Sequence, residues 1–201
     1  MENNIQEKLN NSFNNAPKIK LSQLASLKRG RFSHRPRNAP HLYENGTYPF
    51  IQTGDVANGK GRNIQYSQYL NEEGLKVSKL FQPATILITI AANIGSTAIL
   101  TYPACFPDSI VSIKPSKTMN IDYLEYYLRT QQQYLNDIAP QKAQKNINLK
   151  ILEPLLVACP EKTEQDKIIN EVLKIEQQIN NFEQEIFAIP QQKEAILKKY
   201  L

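Results

Sequence analysis

The feature that most constrains this chain is a heptad repeat of apolar residues between Thr163 and Leu201. Apolar residues recur there at alternating spacings of four and three positions, and Glu, Gln, Lys and Asn fill the positions between them. This spacing predicts a helix with one apolar stripe, which has to be buried against another helix. Such a helix of about 38 residues would extend about 57 Å, too far for the edge of one small domain. The predicted dimerisation residues are Ile168, Val172, Ile175, Ile179, Phe182, Ile186, Ile189, Ile196 and Tyr200.

Two further signals concern the course of this helix. The T-x-x-D pattern from Thr163 to Asp166 predicts a helix start with Thr163 as the N-cap. Pro190 removes a backbone N–H and clashes with the preceding turn. We therefore expect a kink or break just before Pro190, with one segment over 164–188 and a shorter one over 191–201.

The composition divides the chain into three predicted parts. Residues 1–16 are polar and Asn-rich without the apolar core of a secretory signal, which predicts a flexible leader. Residues 17–160 are long enough for one domain with its own core. Residues 161–201 contain the heptad repeat. We expect an α+β fold, a mixed α/β globular domain followed by a long, Pro-kinked coiled-coil helix.

The cysteines and the hydropathy pattern indicate where such a chain works. No run of 18 apolar residues occurs, so we expect no membrane span. Cys105 and Cys159 are two isolated cysteines in a chain without a secretion signal. Free, buried thiols in a reducing cytoplasm are a better interpretation than a disulfide.

Several segments have clear secondary-structure signals. TYPFIQTGDV (47–56) predicts a strand that ends in a turn. PATILITIAANIGSTAIL (83–100) is rich in β-branched residues and predicts two strands joined by a turn around Gly95. SIVSIKP (109–115) predicts another strand, and the segment 120–139 predicts a helix with Asn120 as its N-cap.

The positive charge of the chain is concentrated in residues 17–63, which hold nine Lys and Arg against two acidic residues. Such a concentration is typical of a polyanion partner, although it can also be a solvated surface only. The runs KRGRFSHRPR (28–37) and NGKGR (58–62) predict basic loops suited to phosphate contacts. QKAQKNIN (141–148) adds amide side chains that can read adenine edges. The predicted DNA-contacting residues are Lys28, Arg29, Arg31, Arg35, Arg37, Lys60, Arg62, Lys142, Gln144 and Lys145.

No motif for catalysis or metal binding is complete. Gly54 to Lys60 fits the start of a nucleotide-binding P-loop, but Gly61 replaces the Ser or Thr that would bind Mg²⁺. His34 and His41 lack cysteine or carboxylate partners at metal-ligand spacing. We therefore predict a non-catalytic chain without a metal or a cofactor.

Six segments, in this order, resemble the DNA-specificity subunit of type I restriction-modification systems. Together they are specific, and the resemblance covers about residues 17–201. The segments are YPFIQTGDV (48–56), TILITIAANIGSTAIL (85–100), ACFPDSIVSIKP (104–115), NINLKIL (146–152), EQDKII (164–169) and IEQQINNFEQEI (175–186). Within them, Phe50, Gly54, Gly95 and Pro107 are expected to be framework residues.

The resemblance implies a function and a set of partners. The full-length subunit of that family has two target-recognition domains, each followed by a long helix, and the two helices pack as an antiparallel coiled coil. This chain contains one such domain and one helix, so both a natural half-subunit and an excised half stay open. The resemblance implies a homodimer that reads a bipartite, inverted-repeat target in double-stranded DNA. It also implies methyltransferase and motor-nuclease subunits as partners, and no membrane.

Two other interpretations of the residues compete with this one. The chain could be a non-catalytic protein–protein adaptor whose basic surface is incidental. A stand-alone nuclease or methylase is disfavoured by the missing motifs. A binding measurement on random duplexes across a salt series separates a DNA reader from an adaptor, because only the reader loses affinity steeply with salt.

Overall fold

The structure is a computed structural model that describes Phe13, residues 16–59, Gly61, residues 64–140 and residues 145–200. Within 191–200 it describes the backbone throughout and the side chains of 193–194. Lys60, Arg62, Lys142 and Gln144 therefore lie outside the described residues, as do the leader (apart from Phe13 and residue 16) and the side chains of Ile196 and Tyr200.

The described residues form short strands and helices before one long helix. The strands are β1 (Lys18–Lys20), β2 (Ala25–Arg29), β3 (Tyr48–Pro49), β4 (Tyr69–Leu70), β5 (Leu80–Phe81), β6 (Thr85–Thr89), β7 (Thr97–Leu100), β8 (Ala104–Cys105), β9 (Ile110–Pro115) and β10 (Leu156–Ala158). The helices are α1 (Leu21–Leu24), α2 (Thr53–Asn58), α3 (Glu72–Lys76), α4 (Ile121–Thr130), α5 (Gln132–Asp137), α6 (Leu149–Leu152) and α7 (Lys162–Tyr200), with a 3-10 turn at Pro40–Leu42.

The centre of the head, the part that precedes α7, is a four-stranded antiparallel sheet in the order β2-β9-β6-β7. Strand β6 is buried along its whole length because both of its faces are covered. Ile86 and Ile88 belong to the main core, whereas Leu87 between them belongs to a second core on the opposite face. The alternation follows from the period-two geometry of a strand. The two strands predicted within 83–100 and the strand predicted at 109–115 are confirmed.

The two ends of this sheet carry different segments. At the first, which we call the loop end, β2 and β6 finish and β7 and β9 begin, so Gly30, Ser109 and Ile90 lie next to one another. At the other, which we call the junction end, the N–H of Ser116 donates to the carbonyl of Leu24 at 2.8 Å. All predicted basic loops that the structure describes lie beyond the loop end, as shown below.

Helix α4 crosses one face of the sheet from the junction end toward the loop end. It begins as predicted, because the side chain of Asn120 accepts a hydrogen bond from the N–H of Tyr123 at 3.1 Å. Tyr123 and Tyr127 are buried in the main core, where their hydroxyls donate to the carbonyls of Ala158 and Leu156. The predicted helix ends earlier than Pro140, since it breaks between α4 and α5 at Gln131.

Strands β1 and β10 form a separate ribbon that closes the head. Ile19 pairs with Val157, and the N–H of Cys159 donates to the carbonyl of Pro17 at 2.8 Å. The two cysteines are free, as predicted; Cys105 is buried and Cys159 is half-buried.

Helix α7 is a 39-residue helix that continues through Pro190 to Tyr200. It begins at Lys162, so Thr163 lies in its first turn and the prediction of Thr163 as N-cap is wrong. The predicted division into two segments is also wrong: Pro190 lacks an N–H, but the residues around it keep the helical backbone. A kink at Pro190 stays a prediction.

The first turns of α7 pack against the head. Ile168, Ile169 and Val172 are buried in the main core together with residues of α4. Ile175 and Ile179, one and two turns further on, are half-buried. In the described part of the chain, no helix is long and apolar enough to cross a membrane.

Candidate nucleic-acid interface

The basic run from Lys28 to Arg37 leaves the central sheet at the loop end. Lys28 and Arg29 are the last residues of β2, and Arg31 to Arg37 continue as an irregular loop, as predicted. All five predicted basic residues of this run are exposed. Lys28 and Arg31 make no side-chain hydrogen bond or ion pair with any other described residue. Their charges are therefore available to a partner.

The other three arginines of the run are held by the protein. Arg37 forms an ion pair with Asp108 at 2.6 Å, with both side chains about 40% exposed. Arg29 donates to the backbone carbonyl of Asp108 at 2.5 Å. Arg35 turns back onto the carbonyls of Phe32 and His34 at 3.0 and 2.7 Å. These contacts fix the positions of the guanidinium groups, and Asp108 offsets part of the positive charge of Arg37.

The loop after β2 is anchored by apolar packing. Phe32 is 2% exposed and lies 4.9 Å from the ring of Phe50, in a small third core. Gly30 is required by close contact, because a Cβ there would lie 2.2 Å from the carbonyl oxygen of Pro107. The hydroxyl of Ser78 also donates to the carbonyl of Arg31 at 2.8 Å. The backbone that carries Arg31 is therefore well positioned.

Lys145 lies near the same end of the sheet. The residue after it, Asn146, forms a β-bridge with Ala91, and the N–H of Ile147 donates to the carbonyl of Ile90 at 2.9 Å. The structure therefore brings the exposed Lys145 to the loop end, together with Lys28 and Arg31. We call these three exposed cations the basic edge.

A cleft of about 300 Å³ opens beside the basic loop. Tyr43, Phe50 and Pro107 form its apolar surface, whereas its polar lining consists of Arg37, Asn38, Gln52 and Gln68. The sequence reasoning missed the three amides of this lining. Gln52 lies in the quoted motif YPFIQTGDV but was interpreted only as the end of a strand, and Gln68 has no local signal.

Part of that motif forms a short helix instead of a turn. Residues Thr53–Asn58 are helical, and the N–H of Gln52 donates to the carboxylate of Asp55 at 2.8 Å. Gly54 lies inside this helix, whereas a P-loop starting there would need an open loop before its helix. The position needs no glycine, since its φ is not positive and a Cβ would meet nothing within 4 Å. By contrast, Gly95 has a φ of +80° and is a framework residue, as Phe50 is by its burial.

The chemistry of the described residues contains no catalytic arrangement that we can identify. His34 and His41 contact each other edge-to-face at 5.3 Å between ring centroids, and the described residues contain no group of His, Cys, Asp and Glu that could hold a metal. Burial raises the pKa of the Cys105 thiol, which disfavours the reactive thiolate.

The junction between head and α7 is fully hydrogen-bonded on its polar side. Gln165 is completely buried; its carbonyl oxygen accepts from the N–H of Asn120 at 2.9 Å, and its amide donates to the carbonyl of Pro160 at 2.9 Å. The amide of Asn120 donates to Asp166 at 2.7 Å. Asn120 and Lys162 lower the pKa of Asp166 by hydrogen bonding to its carboxylate. The quoted motif EQDKII thus fixes α7 on the start of α4.

A second polar contact joins the sheet, α4 and α7. The carboxylate of Glu125 is completely buried, accepts from the hydroxyl of Thr97 at 2.7 Å and forms an ion pair with Arg129 at 2.7 Å. Arg129 also lies 3.7 Å from Glu176 of α7. Gly61 packs directly on this pair, since a Cβ there would lie 2.1 Å from the guanidinium of Arg129.

Further along α7, the apolar stripe is exposed. Phe182, Ile186 and Ile189 are 49%, 65% and 55% exposed, and Phe187 beside them is 79% exposed. Ile168 and Val172, which the sequence assigned to dimerisation, are instead already buried against the head. Among the described side chains of the predicted stripe, those open to a partner are therefore Phe182, Ile186 and Ile189.

Comparison with known proteins identifies the class of this chain. The sequence profile of the type I restriction modification DNA specificity domain matches residues 15–191. The chain therefore belongs to this family, as its sequence motifs suggested, and it is a DNA specificity domain followed by a long C-terminal helix.

Solved structures share the fold. The HsdS subunit from Thermoanaerobacter tengcongensis has a TM-score of 0.67 at 18% identity, over 89% of this chain and 44% of that one. The type I restriction-modification S subunit from M. genitalium has a TM-score of 0.60 at 17% identity, over 84% and 41%. A third structure was solved to explain complex assembly and conformational transition of the type I R-M system. One of its chains has a TM-score of 0.67 at 20% identity, over 83% of this chain and 39% of that one. This chain thus spans less than half the length of these relatives.

Proposed function

We propose that this chain reads a DNA sequence for a type I restriction-modification complex and is itself non-catalytic. Residues 17–160 act as the target-recognition domain, and residues 161–201 form the helix that spaces and joins two such domains in the cytoplasm. The observation that carries the proposal is the family match over residues 15–191, which includes both the head and most of α7.

The basic edge supports contact with a polyanion. Lys28, Arg31 and Lys145 lie at one end of the sheet and are exposed, and the first two have no described partner. Phosphate contacts from such residues position a duplex and make binding salt-dependent. Lys60, Arg62, Lys142 and Gln144 remain proposed contacts from the two neighbouring basic loops.

The DNA part of the proposal is tested with a matched pair of double variants. Lys28→Ala with Arg31→Ala removes two charges at the loop end, whereas Lys114→Ala with Lys117→Ala removes two exposed lysines near the junction end. Fluorescence anisotropy on random duplexes across a salt series is the measurement. We expect the slope of log affinity against log salt to fall by about two for the first variant only.

Two results would contradict this proposal. Equal effects of both double variants would show that net charge matters and the loop end does not. No binding by the unaltered chain, even with its methyltransferase subunit present, would favour the alternative of a protein–protein adaptor.

The exposed half of the stripe supports pairing with a second copy. Phe182, Ile186 and Ile189 follow the heptad spacing and are exposed in the single chain. An antiparallel pair of α7 helices would bury them and place two heads at a fixed separation, so that the dimer reads a bipartite inverted repeat. Methyltransferase subunits would dock around the paired helices and motor-nuclease subunits would join them for cleavage.

Sedimentation equilibrium tests the pairing. Phe182→Glu with Ile186→Glu is expected to convert a dimer to a monomer, while Gln184→Glu, on the opposite side of the helix, leaves the dimer intact. A chain that stays monomeric without any substitution over the whole concentration range contradicts self-pairing. Mapping of modified bases in cells that carry the chain with its methyltransferase then shows whether the target is symmetric.

A further inference from the structure

The polar lining of the cleft has a property that the basic edge lacks: the side-chain amide of Gln68 is held in place although it is exposed. The amide of Gln52 donates to the side-chain oxygen of Gln68 at 2.9 Å, and the N–H of Phe50 donates to the backbone carbonyl of Gln68 at 2.9 Å. An exposed glutamine normally samples several rotamers, and fixing it in one of them costs conformational entropy. Because the hydrogen bond from Gln52 already restricts the Gln68 side chain in the folded protein, a partner that binds it loses less free energy to ordering that side chain.

The fixed amide still has free hydrogen-bonding capacity. The side-chain nitrogen of Gln68 donates to no described residue, and its oxygen uses one of two lone pairs, on Gln52. Gln68 therefore presents a donor beside an acceptor, in one plane. The edge of adenine in the major groove presents the matching acceptor and donor, N7 and the N6 amino group.

The charge beside the cleft favours a base edge over a phosphate. Among the described residues, Arg37 is the one cation of the lining, and Asp108 holds it at 2.6 Å. The carboxylate of Asp108 would repel a phosphate brought into the cleft, and it offsets part of the attraction from Arg37. A neutral ligand with paired donor and acceptor groups does not meet that penalty.

We propose that the Gln52–Gln68 amide pair beside Arg37 reads the edge of one adenine in each half of the DNA target. Gln68 contacts the base, and Gln52 is a positioning residue that holds the Gln68 amide in the plane required for two hydrogen bonds. Asp55 in turn fixes the backbone of Gln52 at 2.8 Å. This inference rests on the proposed function, because it assumes that the chain binds a specific duplex.

The test is selection of bound sequences from a library of random duplexes. The full chain is used, alone and with its methyltransferase subunit, and the variants are Gln68→Ala, Gln52→Ala and the control Gln65→Ala. Gln65 is an exposed glutamine three residues away that does not line the cleft. Thermal unfolding is compared for all variants, so that a folding defect is recognised.

We expect the unaltered chain to select adenine at one position of its half-site. Gln68→Ala should lower the preference for adenine there by about tenfold while the salt slope stays the same, since one bidentate contact is worth about 1–3 kcal/mol. Gln52→Ala should weaken the same preference less, because Gln68 keeps its chemistry but loses its fixed position. Gln65→Ala should select the unaltered sequence.

Each other outcome overturns the inference in a distinguishable way. An unchanged selected sequence for Gln68→Ala, with normal selection by the unaltered chain, rejects the reading role but leaves the proposed function intact. A uniform loss of affinity for all sequences shows a contact to the DNA backbone instead. A failure of the unaltered chain to select any sequence rejects the proposed function together with the inference.

Discussion

The two ends of the central sheet differ in how their polar groups are satisfied. At the junction end, Gln165 is completely buried and hydrogen-bonded on both its oxygen and its nitrogen. At the loop end, Lys28, Arg31 and the free side of the Gln68 amide face outward without a described partner. Buried polar groups have to be paired within the protein, whereas exposed ones can keep their bonding capacity for a ligand. The polar groups of the junction end therefore stabilise the fold, whereas those of the loop end keep the free bonding capacity that the proposed recognition role requires.

The largest expected effect concerns Glu125, which belongs to the contact between head and α7. Glu125→Ala leaves Arg129, about two-thirds covered, without its buried partner and removes the bond to Thr97. We expect a loss of about 3 kcal/mol in the free energy of unfolding, measured by urea denaturation. The matched control is Glu73→Ala, which breaks an exposed ion pair with Lys76 and should cost less than about 0.5 kcal/mol. Equal costs for the two variants would contradict the rule behind the comparison, that buried polar groups depend on their partners more than exposed ones do.

A smaller effect is expected at Gln165. Gln165→Ala removes a fully buried side chain and leaves the N–H of Asn120 and the carbonyl of Pro160, both half-buried residues, without their partner. The expected cost is about 1–3 kcal/mol of unfolding free energy. Gln177→Ala, at an exposed position of the same helix, is the control and should be nearly neutral. If Gln165→Ala is as mild as the control, the junction is held by the apolar contacts of α7 alone.

The framework could be predicted from the sequence because its signals are local. β-branched runs specified β6, β7 and β9, and Asn120 marked the start of α4. The heptad spacing gave one long helix, but it could not tell which residues pack on the head of the same chain. Ile168 and Val172 have the same spacing as Ile186, yet only the first two meet α4. That distinction depends on tertiary contacts.

The recognition surface could be predicted only in part. Charge clustering located the basic loop, but it treated its five basic residues as equivalent. Asp108, more than seventy positions away in the chain, accepts hydrogen bonds from Arg29 and Arg37. Arg31 has no such partner among the described residues, so the arginines of the loop differ. The Gln52–Gln68 pair arises because β3 and β4 are adjacent strands, which no local pattern reveals.

The pH dependence of the junction is a third way to test the comparison. Because Asn120 and Lys162 lower the pKa of Asp166 below its ordinary value of 3.8, the folded state favours the carboxylate. The stabilisation is present above the unfolded pKa and is lost as the pH falls through the folded pKa. We expect Asp166→Asn to flatten the decrease of the thermal midpoint as the pH falls below about 5. The effect should be smaller than that of Gln165→Ala, because the Asp166 side chain is 42% exposed. If the decrease of the thermal midpoint at low pH is the same in Asp166→Asn as in the unaltered chain, the Asp166 carboxylate does not contribute to the stability of the junction.

The smallest expected effect on stability is at Gly54, which lies near the loop end beside Gln52. Gly54→Ala meets no atom within 4 Å and lies in a helical turn, so it should stabilise the free protein by about 0.5 kcal/mol. A duplex that approaches the cleft from the side of α2 would enter this open space. We expect the added methyl group to weaken DNA binding severalfold while the free protein gains stability, measured by urea denaturation and anisotropy on the selected duplex. Ala57→Gly, in the same short helix, is the control: it should lose a similar amount of stability without changing affinity. If Gly54→Ala leaves affinity unchanged, the bound duplex does not contact α2 at Gly54, and the proposed recognition surface does not include this helix.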